Sequence, residues 1–475
     1  MPTRFNFLRG HPNRQSLPLS QVQDLLHQVA VVDDDDDDDD DQLEASLNYG
    51  PDPGDPQTLE ALRAFLERQT RRDEGGCTYV RSEEDDDVAA RGIIDDIHTN
   101  VAEDLETTPT SSMQPLSYFW THGVSHGLDL LCTALFHPGE VILLECPTYF
   151  LAAQIFVSRH LQLKALPMRR DGGGVDVEQL ETWLVEGHLH PPPKGLYLIP
   201  THQNPTGHTL SLQDRWHLIR LARKYKFWIL ADEVYHLLDW RPAHHVPRRP
   251  ARMTVLGSQH TVRPNHYDDG NDETYNGNIY ILDNPCISVS SFTKIYCPGL
   301  RLGWIEAAPA IVEALSQVGY IQSQGGCAPF LGHVMRVALV QGQCDVVLDD
   351  LLSTYRRRSK LLCDTLQAEP RIQIHQLPLG GYFVWVSFED VDDTDALLTY
   401  CQERGLTFLP GRRCGDFLQT GSKGNLSATE TDALIWCQRS ARLCFADMDE
   451  SDLTAGAQWL MQCYQEFVDP NQRLN

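Results

Sequence analysis

What this chain lacks narrows the field first. No apolar run reaches the roughly 20 residues that a membrane-crossing helix needs, and Met1-Pro2-Thr3-Arg4-Phe5-Asn6 lacks the charged-then-apolar layout of a secretory leader. No two cysteines stand in Cys-x-x-Cys spacing, although the chain holds 13 of them. An odd, scattered set argues against disulfides or zinc and for reduced, core-filling thiols, so the cytosol is the expected compartment and no metal is expected. Positive charge is scarce, with 39 Lys and Arg against 66 Asp and Glu, and no basic stripe is visible. Neither nucleic acid nor a membrane is therefore an expected partner.

The acidity is local. Asp33 to Asp41 contribute −9, and residues 73–112, with twelve acids against Arg81 and Arg91, another −10; the rest carries only −8 of the net −27. A run of nine aspartates repels itself and has nothing apolar to bury, so it reads as a solvated loop. Calcium binding would need a turn-forming Gly and spaced ligands, which the run does not have. Residues 73–112 read as a second insertion, between a helix ending near Arg72 and order resuming near Phe119. A third irregular stretch, 241–284, is rich in Pro, His, Arg, Asn and Asp and reads as a solvated loop. Its His244-His245 pair has no ligand partner at helical spacing.

Between these lies a patterned body, and 475 residues suffice for two domains. Val141-Ile142-Leu143-Leu144, Leu196-Tyr197-Leu198-Ile199 and Phe227-Trp228-Ile229-Leu230 read as buried strands. Helical stretches separate them, one with Val177, Leu180 and Leu184 on its apolar face, the next with Leu212, Trp216, Ile219 and Ala222. Such alternation predicts an α/β fold with a mainly parallel, doubly wound sheet. Ile287-Ser288-Val289-Ser290 and Gly303-Trp304-Ile305-Glu306 are too close in sequence for a parallel crossover, so this pair is expected to be antiparallel. A helical region over 310–368 leads to a smaller α+β unit. Its strands include Tyr382-Phe383-Val384-Trp385-Val386 and Ala441-Arg442-Leu443-Cys444-Phe445, and its last helix carries Leu453, Leu460, Cys463 and Phe467.

The chemistry lies in a few short motifs. Lys294 stands in Ser291-Phe292-Thr293-Lys294, seven residues before Arg301 in Pro298-Gly299-Leu300-Arg301-Leu302-Gly303-Trp304. Upstream come Asn204 in Asn204-Pro205-Thr206-Gly207 and Asp232 in Ala231-Asp232-Glu233-Val234-Tyr235. Asn204 follows one strand, Asp232 ends another and Lys294 follows a third, so all three are expected in the crevice beyond the strands' carboxyl ends. Arg442 is a charge inside an apolar strand and requires a partner. Gly123-Val124-Ser125-His126-Gly127 reads as a glycine-flanked turn entering a helix, whose N-terminus suits phosphate. As a Gly-x-Ser-x-Gly string it also matches a hydrolase elbow, a reading that needs an acid and a His to follow in order.

Together these motifs resemble the fold-type-I pyridoxal-phosphate aminotransferases of class I/II, in the branch of aromatic, kynurenine and 2-aminoadipate aminotransferases. The resemblance runs from Leu47-Asn48-Tyr49-Gly50 to Arg442-Leu443-Cys444-Phe445-Ala446. It implies pyridoxal 5'-phosphate as cofactor, with Lys294 linked covalently to it. Ser125, His126, Ser291 and Arg301 would hold its phosphate, the Arg as a planar fork. Asp232 would pair with the ring nitrogen, Tyr235 and Asn204 with the ring oxygen, and Tyr149 would stack on the ring. Tyr49 would reach a neighbour's phosphate across a homodimer, and Arg442, with Asn204, would bind the substrate carboxylate.

The implied fold is a large domain with one antiparallel strand plus a smaller one. Residues 1–50 form an arm and part of the small domain, 51–115 a helix and the acidic insertion, 116–320 the cofactor domain, and 321–475 the linking helix and small domain. The implied reaction moves an amino group from an amino acid to a 2-oxo acid such as 2-oxoglutarate. A carbon–sulfur lyase or cyclising synthase on the same cofactor is the alternative. A DNA-binding regulator fused to such a body would need a basic helix-turn-helix at its start, where this chain is acidic.

Overall fold

The computed structural model describes residues 3–30, 43–74, 115–169, 174–241, 249–259, 284–418 and 426–469. The poly-Asp run, most of the acidic insertion and the His244-His245 pair lie outside the described residues.

The arm strand Phe5–Asn6 (β1) pairs in parallel with Leu406–Thr407 of the C-terminal unit, so the chain's beginning is sewn onto its end. The principal sheet is built from Ser117–Thr121 (β2), Val141–Cys146 (β3), Gln162–Arg169 (β4), Gly174–Val175 (β5), Gly195–Leu198 (β6), Trp228–Asp232 (β7), Cys286–Ser291 (β8) and Gly303–Ala307 (β9). Their order across the sheet is β2-β9-β8-β7-β6-β3-β4-β5. β3, β4, β6, β7 and β8 run parallel, and β9 is antiparallel to both β8 and β2, as the short β8–β9 connection requires. The sequence pattern did not reveal β5, a two-residue strand antiparallel to β4 at the edge.

All six residues of β3 and all five of β7 are buried, which is why Val141 to Leu144 and Trp228 to Leu230 read as apolar runs rather than alternating ones. Two cores flank the sheet. Ile142, Leu144, Tyr197 and Leu230 point into one, Val141, Leu143, Leu196 and Ile229 into the other. The smaller unit holds Ile372–Ile374 (β10), Phe383–Phe388 (β11), Leu406–Thr407 (β12), Leu409–Pro410 (β13) and Ser440–Cys444 (β14), with β10, β11, β14 and β13 forming an antiparallel sheet. The helix Glu450–Val468 covers this unit through Leu453, Leu460 and Cys463. The region 310–368 is broken into Pro309–Ser316, Pro329–Val340 and Gln343–Leu366, with a kinked turn over Ile321–Gly325.

Two expectations are corrected. In the helix Leu212–Tyr225, opened by the Ser211 side chain capping Asp214 N and closed by Lys226 at φ +58°, Leu212 is 43% exposed, while Arg215, Leu218 and Leu221 join Ile219 and Ala222 inside. The buried face widens because the Arg215 guanidinium is satisfied within it by the carbonyls of Pro200 (2.6 Å), Leu210 (3.0 Å) and Ala251 (3.2 Å). Residues 249–259, within the stretch read as solvated, instead contain the buried helix Met253–Gly257. Arg252 forks onto Glu306 of β9 at 2.7 and 2.9 Å, and Tyr118 and Thr254 complete that carboxylate's bonding. A charge paired this fully can be buried, whereas composition alone made it look solvent-facing.

Candidate active site

β2, β3, β6, β7 and β8 share one direction, so the segments leaving their carboxyl ends gather at one edge of the sheet. Those segments carry Ser125, Tyr149, Asn204, Asp232 and Lys294. Charge effects place Tyr149, Asp232 and Lys294 in one neighbourhood, and Asn204 joins it through its 3.0 Å bond from Arg442. The Asp232 charge acts on Lys294, Tyr149, Tyr197 and Tyr235, and the Arg442 charge on Lys294, Tyr149 and Tyr235.

Lys294 stands three residues past β8. Its Nζ donates to the Gly10 carbonyl at 2.5 Å and lies 4.8 Å from the Tyr382 ring centroid and 6.0 Å from that of Tyr235. Burial pulls its pKa down to about 8, helped by the Arg442 charge and opposed by Asp232. An amine that deprotonates this close to neutrality is a competent nucleophile.

Asp232 ends β7 with 2% exposure. Tyr197, on the same face of neighbouring β6, donates its hydroxyl to Asp232 Oδ2 at 2.9 Å, and Val234 N reaches Oδ1 at 3.3 Å. Burial nonetheless raises the carboxyl to about 6, against the pull of the Tyr197 bond, the Val234 amide and the Lys294 charge. A buried carboxylate with so little compensation favours a cation beside it. The Tyr235 hydroxyl is likewise uncommitted: the ring packs edge-on or tilted against Tyr382 and Phe383, and among the described residues its oxygen has no hydrogen bond.

At the other end, the helix Val124–Leu135 begins after Gly123, whose φ of +88° suits glycine. A Cβ there would lie 3.1 Å from Arg301 Nη2, so the guanidinium packs directly on this backbone. Arg301 is exposed, braced by the carbonyls of His122 (3.2 Å) and Pro298 (3.4 Å). Ser125 is exposed on the first turn, beside the free amides of the helix N-terminus. An open guanidinium, a hydroxyl and helix-terminal amides within one turn suit a phosphate.

Two expected phosphate contacts are already engaged. Ser291 Oγ is 1% exposed, accepts from Thr293 N at 3.0 Å and sits 2.7 Å from Thr293 Oγ1 and 2.8 Å from the Leu302 carbonyl. A single O–H spent inside the loop braces it rather than facing outward. His126 Nδ1 accepts from His122 N at 3.1 Å, and burial with the neighbouring His122 lowers its pKa to about 4. His126 is thus held neutral, its Nδ1 turned back onto the backbone that precedes its helix. Tyr149 stands at the N-cap position of the helix Phe150–Ser158, after β3, with no side-chain cap bond. Tyr49 is 79% exposed, and among the described residues its one bond runs from its backbone N to Asn48 Oδ1 at 2.8 Å.

Arg442, in β14 and 5% exposed, spans the two units. Nη1 donates to Asn204 Oδ1 at 3.0 Å, Nη2 to the Leu8 carbonyl at 2.8 Å, and the guanidinium lies 4.0 Å over the Phe383 ring. Its buried Nε has no partner, and among the described residues no carboxylate pairs with it. Gly380-Gly381 serves packing: a Cβ on Gly380 would lie 1.9 Å from His202 Nε2.

Sequence reasoning missed Tyr197, the Leu8 and Gly10 carbonyls that take up Arg442 and Lys294, and Glu145, a buried acid at the end of β3. A polar atom in an apolar strand was the available signal for Tyr197 and Glu145. The arm's carbonyls carry no sequence signal. Among the described residues no cluster of His, Cys, Asp or Glu forms a metal site, no disulfide occurs, and no helix is long and apolar enough to cross a membrane.

A model of the family described as aminotransferase class I and II matches residues 91–460. An uncharacterized protein of Saccharomyces cerevisiae is 25% identical over 95% of this chain and 94% of its own length. Aromatic-amino-acid aminotransferase 1 of Thermococcus litoralis is 29% identical over 61% of this chain and 63% of its own. The structure is similar to that of the Pyrococcus horikoshii kynurenine aminotransferase, with a TM-score of 0.70 and 21% identity, covering 98% of this chain and 91% of that one. That last likeness is one of fold.

Proposed function

This chain belongs to the class I and II aminotransferases, and we propose that it moves the amino group of an aromatic amino acid, kynurenine or 2-aminoadipate to a 2-oxo acid such as 2-oxoglutarate. It is a pyridoxal-phosphate-dependent transaminase. Aromatic and 2-aminoadipate specificities among its relatives support the choice of donors. When bound, the cofactor supplies an electrophilic carbon and an electron-accepting ring. Lys294 would hold it covalently and carry the proton at the substrate's α-carbon, its lowered pKa letting the amine act near neutral pH. Asp232, buried and backed by Tyr197, would hold the ring nitrogen protonated. Tyr235 and Asn204 would donate to the ring oxygen, with Tyr149 over the ring face. Arg301, Ser125 and the helix N-terminus would take the phosphate, with Ser291 bracing one loop and His126 tying down the backbone that enters the helix.

One observation supports a carboxylate-bearing substrate: among the described residues Arg442 is buried without a carboxylate partner, one nitrogen is unsatisfied, and its charge acts on the Lys294 amine. A substrate α-carboxylate would fill that position with two parallel bonds, displacing the Leu8 carbonyl. Exposed Leu47, Tyr49 and Tyr320 support a homodimer in which Tyr49 reaches the neighbouring site. The abundance of free thiols supports a cytosolic setting. The test is a screen of amino-donor and keto-acid pairs with the cofactor-loaded protein. Turnover that needs both partners supports the reading, and keto-acid-independent breakdown of the amino acid overturns it.

A further inference from the structure

Glu145 shares its face of β3 with the core residues Val141 and Leu143, yet it is a carboxyl at 3% exposure. Its Oε2 accepts from Ile199 N at 2.9 Å and from Gln203 Nε2 at 3.3 Å. Among the described residues no cation pairs with it. An acid buried on such terms needs a reason.

Gln203 supplies one. Its Nε2 also donates to the Pro147 carbonyl at 2.8 Å, tying down the segment that leads to Tyr149. Its Oε1 accepts from Thr206 N (2.9 Å) and Thr206 Oγ1 (2.7 Å). Its backbone amide bonds to the His208 carbonyl and its carbonyl accepts from Gly207 N, at 2.8 and 2.7 Å. Gln203 is thus the hub of the turn after β6, and the next residue, Asn204, gives its oxygen to Arg442.

We propose that Glu145 is a positioning residue of the transaminase site, clamping Gln203 so that the turn after β6 presents Asn204 to Arg442 and Tyr149 to the cofactor. This rests on the roles given above to Asn204 and Arg442. Burial pushes the Glu145 carboxyl up to about 8, so near neutral pH it is held mainly as the neutral acid, which still offers a carbonyl oxygen as acceptor. Glutamine reproduces that outline and that acceptor; leucine reproduces only the volume.

The experiment compares cofactor-loaded parent, Glu145→Gln, Glu145→Leu and Gln203→Ala. It measures KM and kcat for both substrates, affinity for 3-phenylpropionate and glutarate as carboxylates without an amino group, cofactor stoichiometry after borohydride fixation, and melting temperature. Glu145→Gln should stay within about threefold of the parent throughout. Glu145→Leu and Gln203→Ala should raise both KM values and weaken carboxylate binding about tenfold or more, with smaller effects on kcat and full covalent loading. Gln203→Ala decides the matter alone where Glu145→Leu does not fold. A variant that merely melts lower with parental KM and carboxylate affinity overturns the role, as does Glu145→Gln behaving like Glu145→Leu. A parent that binds carboxylates and loads cofactor but turns over no donor–acceptor pair overturns the transaminase assignment instead. Glu145 is then judged on carboxylate affinity alone.

Discussion

Arg442 Nη1 lies 3.0 Å from Asn204 Oδ1, joining β14 of the C-terminal unit to the turn after β6, with no carboxylate between them. The guanidinium has both Nη atoms on neutral oxygens, those of Asn204 and Leu8, and its Nε buried without a partner among the described residues. That arrangement is costly unless an anion arrives.

The first prediction follows from this. Arg442→Lys should raise the KM for both amino acid and keto acid, because an ammonium lacks the planar fork. Arg442→Ala should cost more, about 2–5 kcal/mol in kcat/KM if the charge pair is desolvated. Covalent loading of Lys294 should be unchanged in both. Parental kinetics in a folded Arg442→Ala protein would remove the residue from the site.

Lys294 gives a pH signature. Burial lowers its pKa to about 8, below the roughly 10.4 of a free lysine side chain. The neutral amine is the reactive form, so the rate at which cofactor-free protein links to added pyridoxal phosphate should climb with pH and reach half its plateau near pH 8. A rate still climbing steeply beyond pH 10 would mean the amine is solvated. Lys294→Ala should bind the cofactor without any borohydride-stable link.

Gly380 predicts a packing cost. Its added Cβ would fall 1.9 Å from His202 Nε2, and that ring is held by Asp239 at 2.9 Å. Gly380→Ala should therefore destabilise the fold by about 1–3 kcal/mol, read as a lower melting temperature. An unchanged melting curve would show that the His202–Asp239 pair yields.

Tyr49 tests the assembly. If its hydroxyl reaches a neighbour's phosphate, Tyr49→Phe should weaken cofactor retention by about 1.5–3 kcal/mol, the worth of one hydrogen bond to a charged group. Sedimentation should show a dimer. A fully active monomer would refute this.

The sequence alone determined the strand–helix alternation, the antiparallel β8–β9 pair and the gathering of Asn204, Asp232 and Lys294, because burial on both faces and short connections leave local marks. It also exposed Arg442, since a charge among apolar neighbours is visible without coordinates. Tertiary structure alone decided which charges are buried: Arg252, in a stretch that looked solvent-facing, meets Glu306 54 residues away, and Arg215 is taken up by backbone carbonyls. It alone decided that the Ser291 hydroxyl turns inward and that His126 turns back onto the His122 amide, since a side chain's direction depends on neighbours the motif does not contain. It alone brought Leu8 and Gly10 onto Arg442 and Lys294, through backbone carbonyls that every residue possesses and no sequence pattern can mark.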